Sequence, residues 1–378
     1  MRFTANAKDL KSALKTVCAV IPAKGIILAQ SCVFIQAKDG TLTLSGRGED
    51  IFAEAVCSCR VEEDGEALAP SRMLMDYVSL ADDEISIATD AKNAMTIRSG
   101  KKKSSLLCVE SDQFKPVKFE GNLLFTASGA DFADCLSRVS FAVSVDETRP
   151  QLCGVHLAVH PEEGKTVFVA LDGFKISLCQ MNCGSFERQD VTELTVPNAA
   201  LRLISSMFGG FEKLTMHSNT TSAMISADGM RLVFPLIVKP YLEYTRVTNQ
   251  IYKTSLRVDS AAMLDAVNIA SIAANADMKT KKCVQLDTDG ENGLLRVSAI
   301  AAQTSASADV SAAQQGDDMS LFFNANYLND VVSVCAKEGE DMELDFTTAA
   351  GVCRIVPLSS ALGLTTYVMP VRQQSTGA

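Results

Sequence analysis

The chain contains three copies of one pattern, a short strand followed by a capping residue and an amphipathic helix. The copies begin at residues 3–5, 125–127 and 256–258. Each leads into a segment whose apolar residues recur every three to four positions, which places them on one helix face. These residues are Leu10, Leu14 and Val17, then Phe132, Leu136 and Val139, then Leu264, Val267 and Ser271. The repetition predicts three tandem domains of one topology.

Each copy contains a second helix signal further along. Pro70, Pro197 and Asn324 stand at equal intervals, each after a strand-like run and before an amphipathic segment. Proline is tolerated at the first helical position, because its missing N–H would be unpaired there. Each repeat is therefore predicted to hold two helices.

Alternating apolar and polar runs separate these helices and predict strands. The runs are residues 42–46, 84–88, 167–171, 213–218, 294–299 and 342–346, and turn signals at 38–40, 227–229 and 287–290 separate strand-like segments. The fold class expected is α+β, with two helices and antiparallel sheets in each of three tandem domains. The predicted ranges are 1–120, 121–249 and 250–372, followed by a polar tail, 373–378.

Composition excludes some classes of protein. Hydrophobic residues make up 47% of the 378 residues and charged residues 21%, which is typical of globular chains. The net charge of −10 excludes a globally basic nucleic-acid coat but leaves room for a local basic surface. The sequence contains no membrane-length apolar run and no secretory signal at its start, so we expect a cytoplasmic protein without a membrane partner.

Motifs for catalysis, metals and cofactors are weak. The cysteines form no CxxC pair, and the three histidines do not stand beside them at zinc-site spacing. The cysteines are predicted to be reduced thiols that pack as small core residues. Asp172-Gly173 follows a strand and is typical of a turn. We therefore predict no enzyme activity, no metal and no cofactor.

The first helix carries Lys8, Lys11 and Lys15 on one face, opposite its apolar residues. Two interpretations remain open, an ordinary solvated face and a surface for nucleic acid. The corresponding helix of the second repeat carries Asp131, Asp134 and Arg138, and that of the third carries Asp265. These two helices are not basic, so any surface for nucleic acid would have few positive charges. The three lysines at 101–103 are interpreted either as a solvated hairpin tip or as charges that keep an edge strand from pairing with other chains.

Five phrases in order give the chain a family likeness. They are MRFT, TRPQLCGVHLAV, VALDGFKISLCQM, YLEYTRV and TYVMPVR, and they span residues 1 to 372. The chain resembles the bacterial DNA polymerase III β subunit (sliding clamp) family, as a divergent member. The resemblance implies a head-to-tail homodimeric ring of six domains, with helices lining the hole. The ring edges would lie near residues 103–109 and 269–276.

The resemblance also implies a function. Such a ring encircles duplex DNA without sequence preference and serves as a processivity factor. Its partners would be the DNA polymerase III catalytic subunit, the clamp loader and other motif-bearing replication and repair proteins. The residues expected to face DNA are Lys8, Lys11, Lys15, Lys24, Arg72 and Arg149. The alternative is a clamp-like regulatory protein that binds the partners' motifs without encircling DNA.

A partner-peptide pocket is implied between the second and third domains. The matching positions are Leu152, Leu171, Gly173, Phe174, Lys175, Ile176, Leu242, Arg246, Val247, Asn324, Tyr327, Cys353, Val368, Met369, Pro370 and Val371. The expected floor consists of Leu152, Leu171, Ile176, Val247 and Val368, with Arg246 and Met369 at the mouth. Apolar groups with a few polar neighbours suit a linear peptide.

The chain departs from the family pattern at several of these places. Phe174-Lys175 stands where the family has His-Arg, and Leu242 replaces a connector proline. Pro150-Gln151 replaces a tyrosine pair, Asn198-Ala199 replaces basic residues, and Lys24 replaces an arginine. We therefore expect a motif preference that is shifted toward apolar contacts.

Overall fold

The computed structural model describes residues 1–187, 189–276 and 282–371. The predicted polar tail, 373–378, lies outside the described residues. The described chain contains seven α-helices: α1 Ala7–Cys18, α2 Ser71–Ser79, α3 Gly129–Val139, α4 Asn198–Phe208, α5 Thr245–Thr248, α6 Ser260–Asn275 and α7 Ala325–Cys335. Apart from the four-residue α5, they fall two to each repeat, which confirms the predicted helix pairs.

Strands make up most of the remaining structure. Those of the first repeat are β1 Arg2–Asn6, β2 Cys32–Lys38, β3 Thr41–Arg47, β4 Phe52–Glu63, β5 Gly65–Pro70, β6 Glu84–Thr89, β7 Ala94–Ser99 and β8 Lys102–Leu107. Those of the second are β9 Asn122–Ala127, β10 Gly154–His160, β11 Lys165–Leu171, β12 Lys175–Asn182, β13 Thr192–Pro197, β14 Leu214–Ser218, β15 Ser222–Ala227 and β16 Met230–Pro235. Those of the third are β17 Thr254–Asp259, β18 Cys283–Asp289, β19 Leu294–Ile300, β20 Ser305–Gln315, β21 Ser320–Asn324, β22 Asp341–Phe346, β23 Cys353–Pro357 and β24 Thr365–Val368. Five of the six predicted strand runs lie within strands, and the sixth, 213–218, begins one residue before β14.

The chain divides into two compact units, each built on one 12-stranded sheet. The first unit holds residues 1–133, 199–236 and the described part of 183–190. Its sheet runs β8-β7-β6-β1-β4-β16-β15-β14-β9, with β3, β2 and β5 branching from β4. The lysine run at 101–103 lies at the β7–β8 hairpin, and β8 ends this sheet, so the predicted edge position is confirmed.

The second unit holds residues 134–182, 191–198 and the described chain from residue 237 onward. Its sheet runs β13-β10-β11-β12-β24-β23-β22-β17-β20-β19-β18-β21. Both sheets cross the repeat boundaries, because β4 pairs with β16 in the first unit and β12 pairs with β24 in the second. This continuity is why three repeats give two compact units. The boundaries near residues 120 and 250 stay a prediction.

The predicted helix faces are buried, with one exception. Leu10, Leu14 and Val17 on α1 are almost fully buried, and so are the corresponding residues of α3. On α6, Leu264 is only partly buried and Met263 takes its place in the core. Asp259 caps α6 as Asn6 caps α1, and counting from the cap makes Met263 the equivalent of Leu10. Only Leu264 was therefore misplaced, since Val267 and Ser271 are buried as predicted.

The second helices begin where the sequence indicates. Pro70 and Pro197 are the last strand residues before α2 and α4, one position earlier than the first helical position predicted. Asn324 caps α7, and its side-chain oxygen accepts from the backbone N–H groups of Asn326 and Tyr327 at 3.0 and 3.3 Å. Among the described residues, no helix is both long and apolar enough to cross a bilayer.

Candidate functional site

The lysine face of α1 is the first candidate surface. The side chain of Asn6 accepts from the backbone N–H groups of Lys8 and Asp9, which fixes where the helix begins. Since the apolar residues of α1 turn into the core, Lys8, Lys11 and Lys15 are exposed together on the opposite face. Their predicted exposure is confirmed, and their contact with DNA stays a prediction.

The other residues expected to face DNA differ in their exposure to solvent and in their ion pairs. Lys24 and Arg72 are exposed in the first unit. Arg149, in the second unit, is partly buried, and its Nε lies 3.0 Å from a carboxylate oxygen of Asp146. Its guanidinium also donates to the backbone carbonyl of Asp172 at 3.3 Å. Arg149 is therefore committed to internal partners, and it adds less positive charge than the sequence indicates.

The second candidate site is a largely buried apolar cluster on one face of the second sheet, which we call the groove. Its centre consists of Leu152, Val169, Leu171, Ile176, Val352 and Tyr367, with Val167, Leu178, Tyr241, Tyr244 and Val247 packed around them. Leu171 pairs with Ile176, and Ile176 pairs with Tyr367. Directly paired residues of antiparallel strands point to the same face, so the register builds the cluster. Four of the five predicted floor residues lie in it.

Three predicted pocket residues lie on the opposite face of this sheet. Lys175 pairs with Val368, and Val368 pairs with Cys353. Since strand side chains alternate, these three point away from Ile176. Val368 and Cys353 are completely buried, and burial raises the pKa of the Cys353 thiol. Their neighbours Tyr367 and Val352 lie in the groove instead, so the predicted floor residue Val368 and the predicted pocket residue Cys353 are each one position away from it.

Lys175 does not present its charge at the pocket as the sequence predicts. Its side chain is 7% exposed, and its ammonium group forms an ion pair with Asp330 on α7. It also donates to the backbone carbonyl of Phe141 at 3.0 Å and lies 3.8 Å from Asp172. A buried ammonium group needs such partners, because desolvation would otherwise disfavour its charge. The ion pair of Lys175 with Asp330 therefore links the first residue of β12 to α7.

The turn before β12 carries Phe174. One carboxylate oxygen of Asp172 accepts from the backbone N–H groups of Phe174 and Lys175 at 2.8 and 2.9 Å, which confirms the predicted turn. Gly173 has a φ of +97°, a conformation that favours glycine. Phe174 stacks on Tyr327 with ring centroids 5.1 Å apart.

The connector between repeats covers one side of the groove. Tyr241 stacks on His156 with ring centroids 4.4 Å apart, and Tyr244 meets the same imidazole edge-on. The predicted connector residues Leu242 and Arg246 are exposed at the rim. Sequence reasoning used the phrase YLEYTRV as a landmark but missed its two tyrosines as groove residues. Their spacing of three, directly before the short helix α5, was the available signal.

The other predicted pocket residues lie at the edge or support it. Met369 is 37% exposed, and its backbone N–H donates to the carbonyl of Phe174 at 2.8 Å. Val371 donates likewise to Phe322 at 2.6 Å, while Pro370 between them is partly buried. Asn324 is occupied in capping α7, so its role is structural.

A shallow cavity of about 230 Å³ continues the groove. Apolar Val167 and Leu178 line it together with polar Gln180, Thr248 and Asn249. An extended peptide anchored in the groove could therefore also meet neutral hydrogen-bonding groups. Within the described residues, no group of three His, Cys, Asp or Glu side chains is placed to hold a metal ion. Burial raises the pKa of the Cys335 thiol to about 12, which disfavours its reactive thiolate form.

Comparison with known proteins places this arrangement in a family. Models of the N-terminal, central and C-terminal domains of the DNA polymerase III β subunit match residues 1–118, 127–238 and 245–372 in order. The chain belongs to the DNA polymerase III β subunit family.

Two curated relatives and one solved structure agree with this family assignment. The β sliding clamp of Synechococcus elongatus is 23% identical over 99% of this chain and 100% of its own length. That of Pseudomonas aeruginosa is 25% identical over 89% of this chain and 91% of its own. The crystal structure of a Bacillus subtilis DNA polymerase sliding clamp matches with a TM-score of 0.90 at 20% identity, over 99% of this chain and 100% of that one. The fold is thus that of three clamp domains, reached by a divergent sequence.

Proposed function

We propose that this protein is a DNA sliding clamp, a non-catalytic processivity factor that encircles duplex DNA in the cytoplasm. The observation that carries the proposal is the ordered match of all three β-subunit domain models along residues 1–372. A ring holds DNA by topology, so it needs few phosphate contacts, and a tight grip would oppose sliding. An acidic chain with one lysine-rich helix suits that mechanism.

The ring would form from two chains joined head to tail. A contact made twice between unlike surfaces closes a two-fold ring. One surface would include β8, an end strand of its sheet, where Leu107 is 70% exposed. The other would include α6, where Ile269 and Ile272 are 47% and 75% exposed. Edge strands and exposed apolar side chains are both costly unless covered.

The groove would bind a short linear segment of each partner. The expected partners are the polymerase III catalytic subunit, the clamp loader and other replication and repair proteins. A large apolar side chain buried against Leu171, Ile176 and Tyr367 would contribute about 1.5–3 kcal/mol. The groove is formed within one chain, so peptide binding does not require the ring.

A clamp-like regulator that binds peptides without encircling DNA is the second candidate. Negative charges on other helices favour this regulator, because acidic side chains on a surface that faced DNA would repel its phosphates. Helix α3 carries Asp131 and Asp134, and α6 carries Asp265. Arg138 on α3 is also neutralised, because its guanidinium lies 2.8 Å from Glu338.

The mass in solution and a primer-extension assay decide between the two. A clamp has twice the mass of one chain and lengthens the products made by a cognate polymerase and loader in a single binding event. A monomer that binds peptides and leaves product length unchanged would instead establish the regulator.

A further inference from the structure

Phe174 and Tyr327 form an exposed stack of two aromatic rings, which we call the aromatic platform. Their planes are inclined by 20°, and Phe174 is 50% exposed. The Asp172 turn holds Phe174 in place, and the capped first turn of α7 holds Tyr327. Tyr327 is engaged by Phe174 and by Lys175, whose ammonium group lies 5.5 Å from the Tyr327 centroid. The ring surface open to a ligand is therefore that of Phe174.

Carboxylates outnumber cations around the platform. Asp330 and Asp172 both lie close to the ammonium group of Lys175, and the Asp330 side chain is 44% exposed to solvent. Arg149 is nearby, as a side chain at Gly173 would meet its guanidinium, but it is paired with Asp146. Burial raises the pKa of the Tyr327 hydroxyl, and the charges of Asp172 and Asp330 raise it further. The Tyr327 hydroxyl thus lies in a negative field.

An aromatic face beside unbalanced carboxylates attracts cations and repels anions. Arginine suits it best, because a planar guanidinium can stack on the ring while it donates to a carboxylate. A glutamate or aspartate there would meet like charge and a ring face of negative potential.

The platform adjoins the groove along the backbone. Phe174 is two residues before Ile176, and its carbonyl accepts the N–H of Met369. An extended peptide advances about 3.3 Å per residue, so one anchored on Ile176 reaches Phe174 within a few residues. One peptide can therefore contact both surfaces.

We propose that the aromatic platform selects a cationic side chain, with arginine preferred, in the same partner peptide that places its apolar anchor in the groove. The inference rests on the proposed peptide-binding function and adds a charge preference to it. The family resemblance implies no such preference, which arises from Phe174 and the carboxylates of this chain.

Peptides with a Leu-Phe anchor test the proposal by titration calorimetry at low salt. A single Arg, Ala or Glu is placed in turn at each of the four positions on either side of the anchor. At one position, Arg should bind about fivefold more tightly than Ala, with Glu weaker than Ala. Raising the salt concentration should shrink the difference between Arg and Glu.

Two variants assign the effect to the platform. Phe174→Leu should reduce the preference for Arg over Ala to less than twofold while the Ala peptide still binds. Asp330→Asn should reduce the preference for Arg over Glu, whereas Asp265→Asn, an exposed helical carboxylate on α6, should not.

The outcomes separate the two claims. If the peptides bind equally whatever the scanned residue, the groove stands and the platform's selectivity is refuted. Tighter binding of Glu than Arg at every position would also refute it. If no peptide binds the wild-type chain, the proposed groove fails and the inference fails with it.

Discussion

The lysine face of α1 and the groove of the second unit are built in opposite ways. The face consists of three exposed charges on one helix, whereas the groove collects mostly buried apolar groups from β11, β12, β24 and the connector. Charges exposed to water act through a field that salt screens, while an apolar groove acts through burial, which salt affects little. The two surfaces should therefore respond differently to mutation, salt and pH.

The largest effect should follow from opening the ring. Ile272→Asp puts a charge on the exposed apolar face of α6 and should convert the dimer to monomers at micromolar concentration. Retention on DNA should then be lost while peptide affinity is unchanged, because the groove lies within one chain. Light scattering, DNA retention and calorimetry measure the three quantities. Ala261→Asp, on the exposed surface near the start of α6, is the matched control.

A charge in the groove should have the next largest effect. Ile176→Asp should weaken binding of a Leu-Phe peptide about 10- to 100-fold, since it removes the burial of one large side chain. DNA retention should be unchanged. Calorimetry measures the loss, and Val145→Asp, at a site that is 92% exposed, is the control. Equal affinity in wild type and Ile176→Asp would mean that the peptide binds elsewhere.

Reversing the lysine face should have a smaller effect on DNA alone. Replacing Lys8, Lys11 and Lys15 by Glu should weaken nonspecific DNA binding and reduce its log–log salt slope by about 2 to 3. Peptide affinity should not change. The control replaces the exposed Lys92, Lys101 and Lys115 by Glu. If both triple variants lose the same affinity, only net charge matters and the α1 face is merely solvated.

The smallest effect concerns pH. Burial lowers the pKa of His156, and Glu193, 3.8 Å away, opposes the shift. The stability that its neutral form contributes is present above pH about 6.5, the unfolded value, and is lost as pH falls through the folded value. Peptide binding should weaken only as pH falls through the lower, folded value, because it depends on the imidazole of the folded chain, which stacks on Tyr241 in the groove.

Thermal unfolding and peptide affinity between pH 7.5 and 5 measure this effect. His156→Gln should flatten both profiles. The carboxylates whose pKa is lowered, such as Asp146, lose their contribution only at more acidic pH. An unchanged pH profile in His156→Gln would show that the stacked imidazole does not control the groove.

Sequence periodicity was sufficient to predict the helices and the exposed lysine face of α1. Residues three and four apart share a helix face, so the positions of Lys8, Lys11 and Lys15 follow from local spacing. Periodicity failed locally at Leu264, where the run of apolar residues in α6 left the register open until the cap at Asp259 fixed it.

The groove could be predicted from family resemblance only to within one residue. An error of one position on a strand moves a side chain to the other face, which is why Val368 and Cys353 were chosen in place of Tyr367 and Val352. Lys175 had no local signal either. Its partner Asp330 is distant in sequence, and only the folded sheet brings the two together.

Retention on DNA of different topology tests the central claim, that this chain holds DNA by encircling it. The protein is loaded onto nicked circular DNA and isolated by gel filtration, and half of the sample is then linearised with a restriction enzyme. The account predicts that the clamp stays on circles for many minutes and is lost from linear molecules, at the same salt concentration. Equal retention on both forms would show binding by contact alone and would contradict the ring.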